Sequence, residues 1–352
     1  MIILSHTNLS GINLGGINLS EIKLGMPSGK GTGGEETFDP ASFDQAWSVT
    51  GKTNDDEDRA TVKNLTGNGN DLVLSNFAFA EDSGYGLYAY NFNSFNLKDN
   101  VVKPTEVKKD SFRIIGTGNN SNVIILSNVS NSADWKIRIT GMKEGDSCLV
   151  GNANKSGDYI KITKDGTYTY QKQYEANSTN GLWYNSSQET DVLVEQIPDY
   201  EGYLVTDGVD DKIQSSSFEL DKDWTMVGNW VLLQGTYKPA GVVKSSILYI
   251  YNNSKGMAVY LKSGSISNVL SEIKSLYAVC SDGRVYDNNW NEHQLAIGEE
   301  SKNISNLRFG TSTDGAKFTK IAFKNSAIYN GKVLTKDQCI SAYNYLQTLK
   351  EK

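Results

Sequence analysis

Three acids stand at alternate positions in Glu219-Leu220-Asp221-Lys222-Asp223. On a β-strand alternate residues share one face, and carboxylates on one face are what glycosidic cleavage uses, one as nucleophile and one as acid. Here Lys222-Asp223 reads instead as a turn before the apolar run Trp224-Thr225-Met226-Val227-Gly228-Asn229-Trp230, so the acids are expected in a solvated turn and no catalytic residue is assigned. A second acidic group, Asp207, Asp210 and Asp211, offers the hard oxygen ligands that calcium needs, and Asn70 and Asp71 join it if their strand is a neighbour. The same residues suit a tight turn, with Gly208 at positive φ and the Asp side chains capping backbone N–H groups. The turn is the preferred reading, so no cofactor is expected and calcium is the one candidate.

Aromatic residues suggest a third chemistry. Trp183-Tyr184-Asn185 and Tyr286-Asp287-Asn288-Asn289-Trp290 lie in polar, turn-like stretches, where exposed rings can stack on sugars and Asn or Asp can bond the hydroxyls. Trp183, Tyr184, Tyr286 and Trp290 are therefore the candidate glycan contacts, whereas Trp230, inside an apolar run, is expected in the core. Other chemistries are poorly supplied. With two histidines, His6 and His293, His-based metal sites and nucleophile–base pairs are disfavoured. The three cysteines, Cys148, Cys280 and Cys339, are odd in number and widely spaced, which fits neither a disulfide framework nor a zinc cluster.

The elements that must position these residues are strands. The 352-residue chain has 33 glycines, 5 prolines and 19 tyrosines, with Asn and Ser throughout, as an all-β chain with many short turns would. In Trp135-Lys136-Ile137-Arg138-Ile139 the apolar residues share one face and the cations the other. Lys164-Asp165-Gly166-Thr167 is a turn signal, buried runs are expected at 230–233, 247–251 and 257–261, and further strand alternation at 321–324. One helix is signalled near the C-terminus: Thr335 caps it, Gln338 completes a capping box, and Cys339, Ala342, Tyr343, Leu346 and Leu349 form its apolar stripe. Asp337 in the first turn and Lys350 in the last would suit the helix dipole.

A net charge of −7, from 34 Lys+Arg against 41 Asp+Glu, leaves no electrostatic footprint for nucleic acid or anionic membrane. No apolar run is long enough for a spanning helix, so membrane insertion is not expected. The start, Met1-Ile2-Ile3-Leu4-Ser5-His6, lacks the form of a signal peptide. Synthesis in a cytoplasm is expected, and the sequons at Asn64, Asn128, Asn177 and Asn303 are read as compositional.

Residues 8–25 repeat with period five, placing Leu9, Leu14, Leu19 and Leu24 in register, and likewise Ile12, Ile17 and Ile22. The repeat is too short to bury itself, so residues 1–25 are expected to form an attachment or oligomerisation arm, followed by a Gly-rich linker over 26–35.

Two distant segments resemble consecutive pieces of one fold. Lys63-Asn64-Leu65-Thr66-Gly67-Asn68-Gly69-Asn70-Asp71-Leu72-Val73-Leu74 resembles the opening strand of concanavalin A/laminin-G-like jelly rolls, and Val205-Thr206-Asp207-Gly208-Val209-Asp210-Asp211-Lys212-Ile213 resembles the strand that normally follows soon after. Ile321-Ala322-Phe323 through Tyr329-Asn330-Gly331-Lys332-Val333-Leu334-Thr335 resembles the family's closing strand. The resemblance implies a jelly roll built from 36–99 and 199–352, interrupted by a β-sandwich over 100–198. Jelly-roll glucanases carry an acidic strand similar to 219–223, but where their pattern ends in Glu this chain has Trp224. The whole arrangement resembles virion proteins of crAss-like phages that infect Bacteroidales. That resemblance implies a head or tail fibre or similar appendage, located in the virion and made in the bacterial host cytoplasm. It also implies attachment to other virion proteins through the arm, a homo-oligomer such as a trimer, and host-surface glycan adhesion. The alternatives are a glycoside hydrolase or depolymerase using 219–223, and a purely architectural capsid decoration protein.

Overall fold

The computed structural model describes residues 38–80, 82–88, 96–97, 105–108, 110–126, 135–152, 159–170, 180–234, 241–244, 248–253, 256–261, 268–271, 273–297, 307–311 and 318–351. The chain divides into two units, Met1–Phe38 and Asp39–Lys352. The arm residues Leu9, Ile12, Leu14, Ile17, Leu19, Ile22 and Leu24 and the linker lie outside the described residues.

The second unit is all-β with a C-terminal helix, and its strands pair antiparallel in three sheets. The first sheet has eight strands, in the order Glu292–Gln294, Arg284–Asp287, Ser275–Cys280, Trp224–Gln234, Lys320–Asn330, Asp199–Val205 and Gly84–Leu87, with Gln45–Ser48 also beside Lys320–Asn330. The second runs Asn268–Ser271, Gly256–Leu261, Leu248–Asn253, Gly241–Lys244, Arg308–Phe309, Lys212–Gln214, Leu72–Ser75 and Thr61–Val62. One apolar cluster joins these two sheets as a sandwich: Trp47, Met226, Trp230, Leu276, Phe323 and Ile328 from the first pack with Leu72, Ile213, Ile250, Val259, Leu261 and Phe309 from the second. Met257, Val259 and Leu261 are buried in alternation, as one face of a pleated strand requires.

The two separated segments that resemble one fold meet here. Leu72–Ser75 pairs with Lys212–Gln214, in the register Ser75↔Lys212, Ile213↔Leu74 and Gln214↔Val73.

The third sheet is drawn from residues between 96 and 196 and has a core of its own. Its order is Gly166–Tyr170, Trp135–Thr140, Asn180–Gln196, Ser111–Leu126 and Asn96–Leu97, with Ser147–Asn152 beside Asn180–Gln196 and Tyr159–Ile162 beside Ser147–Asn152. Phe112, Ile139, Val150, Ile162, Leu182 and Val194 meet in one cluster, so this sheet folds around its own core. Ile137 and Ile139 are buried while Lys136 and Arg138 face outward, toward Asp199 at 3.2 Å and Glu195 at 3.9 Å. The Asp165 turn closes no hairpin between its flanking strands. Its carboxylate instead accepts the Gly141 and Met142 N–H groups at 3.0 and 2.8 Å.

The helix, α1, spans Lys336–Leu346 and carries the complete capping box: Thr335 N–H donates to Gln338 Oε1 at 2.9 Å, and Gln338 N–H to Thr335 Oγ1 at 3.3 Å. Its buried stripe is Cys339, Ala342 and Leu346, laid on the first sheet. It ends at Leu346 with Gln347 as cap, so Leu349 and Lys350 lie beyond it and Lys350 does not serve the last turn. The Leu349 carbonyl instead accepts the Ser48 hydroxyl at 3.0 Å.

Candidate functional site

The outer face of the first sheet carries the richest constellation. Leu204 pairs with Phe323, and Trp230 pairs with both Phe323 and Leu276. All four side chains belong to the core beneath the sheet. The chain neighbour of each turns to the opposite face: Tyr203, Lys324, Asn229 and Tyr277. These form a row across four adjacent strands, about 14 Å long at the usual strand spacing. Side-chain contacts agree with that register. Asn229 Nδ2 donates to Tyr203 Oη at 2.9 Å and to Tyr343 Oη at 3.2 Å, and Lys324 Nζ lies 5.6 Å from the centre of the Tyr203 ring. The pairing of Trp224–Gln234 shifts register just before Trp230 and again between Leu232 and Gln234, irregularities of the kind that re-aim side chains.

Helix α1 and one loop complete the row. Tyr343, on the helix, stacks on Tyr277 with ring centres 4.2 Å apart. Trp290 stands 5.4 Å from Tyr277 and meets Tyr343 edge-to-face at 5.5 Å. Burial, with a hydrogen bond to Tyr277, pushes the Tyr343 phenol up, so it stays a neutral hydroxyl. Tyr203, Tyr277, Lys324, Tyr343 and Trp290 are each half-buried, so part of each residue remains open to solvent.

Trp290 is held there under strain. Its φ of 61° is left-handed, a region that costs a bulky L-residue roughly 1–2 kcal/mol. Asp287 overrides this cost. Its Oδ1 accepts the Asn289 and Asn291 N–H groups at 2.8 and 2.9 Å, its Oδ2 accepts Asn291 Nδ2 at 3.0 Å and lies 3.2 Å from His293 Nε2, and its carbonyl accepts the Trp290 N–H at 2.9 Å. Burial raises the Asp287 carboxyl, but the bonds from Asn291, Asn289 and His293 outweigh it and hold the group below the ordinary carboxylate value.

Among the described residues the row supplies rings, hydroxyls and an ammonium, with the Asn229 amide buried behind them. These are parts that can hold a polyhydroxylated ligand.

Of the four aromatic residues singled out from sequence, Trp290 is in this row and two are displaced by burial. Tyr286 is 0 % exposed with its hydroxyl donating to Glu292 Oε2 at 3.0 Å, and it supports Trp290 from beneath at 6.2 Å. Tyr184 is 2 % exposed, in the core of the third sheet, and donates to Asp146 Oδ2 at 2.5 Å. Neither ring is free to stack on a ligand. Trp183 is half-buried on the third sheet. Tyr203, Asn229, Tyr277, Lys324 and Tyr343 were not singled out as ligand contacts. Register, not composition, brings them together.

Asp207, Asp210 and Asp211 converge, with one carboxylate oxygen of each within 4.8 Å of the others. Their oxygens are largely engaged as a turn requires. Asp207 Oδ1 accepts the Val209 and Asp210 N–H groups at 2.7 and 3.2 Å, and Asp211 accepts the Ser83 hydroxyl at 2.9 Å and the Asp207 N–H at 2.7 Å. Gly208, at φ +77°, has Lys320 N only 3.0 Å from where a Cβ would stand. Asn70 and Asp71 do not join this group, although their strand is indeed the neighbour. The pairing is antiparallel, so Asn76 reaches the Asp210 carbonyl at 3.0 Å while Asn70 lies at the other end of the ladder, bonding Ser216 at 2.5 Å. Asp71 is committed to Asn64 N–H at 2.8 Å and Lys63 Nζ at 2.9 Å. Glu219, Asp221 and Asp223 lie outside any strand and share no face, and Asp221 N–H is tied to Asn330 Oδ1 at 2.7 Å.

The fold and this face define an all-β sandwich protein with a partly exposed aromatic row across one sheet. No family model and no curated protein matches the chain. Among solved structures it is similar to Trypanosoma rangeli sialidase in complex with the inhibitor DANA (10% identity, 80% of this chain and 67% of that one, TM-score 0.30) and in complex with sialic acid (10%, 82% and 68%, 0.32). A further structure of that sialidase gives 9% identity, 82% and 68% coverage and a TM-score of 0.32. Likeness at this level fixes neither fold nor activity.

Proposed function

We propose that this protein is a non-catalytic carbohydrate-adhesion protein that holds glycans on the Tyr203–Tyr277–Tyr343–Trp290 face. The observation that carries the reading is the strained Trp290, locked by Asp287 against Tyr277 and Tyr343 at the end of a row of half-buried rings and hydrogen-bonding groups. Stacked rings recognise the apolar faces of sugars, and Tyr hydroxyls, with Asn229 buried behind them bonding Tyr203 and Tyr343, discriminate among the rims. Calorimetry against a polysaccharide panel tests it. Trp290→Ala should weaken binding about five- to tenfold, corresponding to about 1 kcal/mol, with the melting curve preserved and no reducing ends released by the wild type. Full affinity in Trp290→Ala, or sugar release by the wild type, would overturn the reading.

The setting we propose is the one the phage resemblance implies, an appendage anchored by the N-terminal arm. Seven in-register Leu and Ile residues can each contribute roughly 1.5–3 kcal/mol at most when buried against a partner, before ordering entropy is subtracted. A variant lacking residues 1–35 should melt as the full chain does yet stay monomeric in light scattering where the full chain assembles. Equal assembly of both would sink the anchor.

A further inference from the structure

A cleft of about 890 Å³ opens where the loop 51–55, the end of Gly84–Leu87, the start of Asp199–Val205 and residues Lys108 and Asp110 converge. Its walls are fixed by backbone clamps. Asn54 Oδ1 accepts the Tyr85 N–H at 2.7 Å while Asn54 Nδ2 donates to the Tyr85 carbonyl at 3.4 Å. Gly84 permits this approach, since a Cβ there would come within 2.9 Å of the Phe79 backbone. Lys52, on the wall, is committed to Asp58 and Glu351, each at 3.1 Å. Other groups around the cleft are uncommitted: among the described residues no hydrogen bond or ion pair engages the carboxylates of Asp55 and Glu201 or the ammonium of Lys108. Asp110 accepts the Ser111 hydroxyl at a long 3.3 Å. Tyr88, half-buried, lines the same cleft; burial, and then the negative charges of Asp110, Asp55 and Glu201, push its phenol up to about 12. Three separate segments thus bring carboxylates into the lining of one cleft beside an aromatic residue, against a single uncommitted cation among the described lining residues.

We propose that this cleft binds an amino sugar, with its protonated amine among Asp55, Asp110 and Glu201 and its ring against Tyr88. Carboxylates accept strongly from an ammonium group, an aromatic face adds cation–π attraction, and the same acceptors suit sugar hydroxyls. An acidic sugar is repelled by the same three charges. The volume lies within the range of small-ligand sites. None of the side chains of the aromatic row lines this cleft, so the two sites succeed or fail separately.

Calorimetry on the full chain tests the site, with a short glucosamine oligomer and its N-acetylated counterpart of equal length as probes. The glucosamine oligomer should bind, weaken with added salt, and lose about tenfold or more in affinity in the exposed-site variant Asp55→Asn/Glu201→Gln, while Trp290→Ala binds it as the wild type does. The single variants and their melting curves show that any loss is not misfolding. No binding, equal affinity for the N-acetylated oligomer, an unaffected double variant, or a loss confined to Trp290→Ala would each overturn the proposal.

Discussion

Asp211 is 1 % exposed, yet it must be a carboxylate or a carboxylic acid there. Burial dominates and pushes it up to about 7, the charges of Asp207 and Asp210 add to this, and the bonds from Asp207 N–H and Ser83 pull the other way. The folded pKa thus exceeds the ordinary 3.8. A raised carboxyl favours the folded state while protonated, so its contribution is fully present below the unfolded pKa and is lost as pH rises through about 7. Urea unfolding at stepped pH should show stability falling from this group by up to about 1.4 kcal/mol per pH unit across the window between those two values. Asp211→Asn, which loses the Asp207 bond at a cost of about 1 kcal/mol, should flatten that dependence. A wild type whose stability climbs through the window, with the same slope in the variant, would show that Asp211 is ionised throughout.

At the scale of elements, what could be read from sequence is what depends on local spacing. The capping box at Thr335 and Gln338 is a three-residue relation, and the alternation of Ile137 and Ile139 with Lys136 and Arg138 a two-residue one. Trp290 was legible because three polar residues surround it in Asn288-Asn289-Trp290-Asn291, where a core Trp is out of place. The rest of the row was not, because it exists only through pairing. Asn229 sits in a run that reads as core and Tyr277 in a stretch with no signal of its own, and register shifts beside Trp230 set which residues turn outward. Tyr343 belongs to the helix stripe as read, but it meets a ring rather than the aliphatic core. Tyr286 misleads for the opposite reason: its polar neighbours suggest exposure, while Glu292 and Arg284 satisfy its hydroxyl beneath Trp290. The error over Asn70 and Asp71 is also one of direction. Adjacency of two strands follows from their resemblance to one fold, but whether their loops share an end depends on the sense of pairing.

The whole molecule is built so that one stretch of chain leaves the sandwich and returns to the same place. Leu87 and Asp199 are cross-strand partners, the last pair of the ladder between Gly84–Leu87 and Asp199–Val205. Paired residues of an antiparallel ladder lie about 5 Å apart, a gap that a hairpin turn closes as well as the intervening hundred-odd residues do. The two apolar clusters share no residue, so removing the third sheet exposes little of the sandwich core. The Lys136–Asp199 ion pair, on side chains 44 % and 33 % exposed, would be lost at little cost. Replacing residues 88–198 by a short Asn-Gly turn should therefore leave a sandwich that unfolds in one cooperative step. It should also bind glycans on the Trp290 face with unchanged affinity, because Tyr203, Asn229, Tyr277, Lys324 and Tyr343 all remain on their strands and helix. Binding of the glucosamine oligomer should disappear in the same variant, since Tyr88, Asp110 and Lys108 go with the deleted stretch. Circular dichroism melts and the two titrations read these outcomes separately. A deletion variant that fails to fold would mean that the third sheet braces the sandwich through contacts beyond the Leu87–Asp199 junction, and the independence of the two cores would have to be given up.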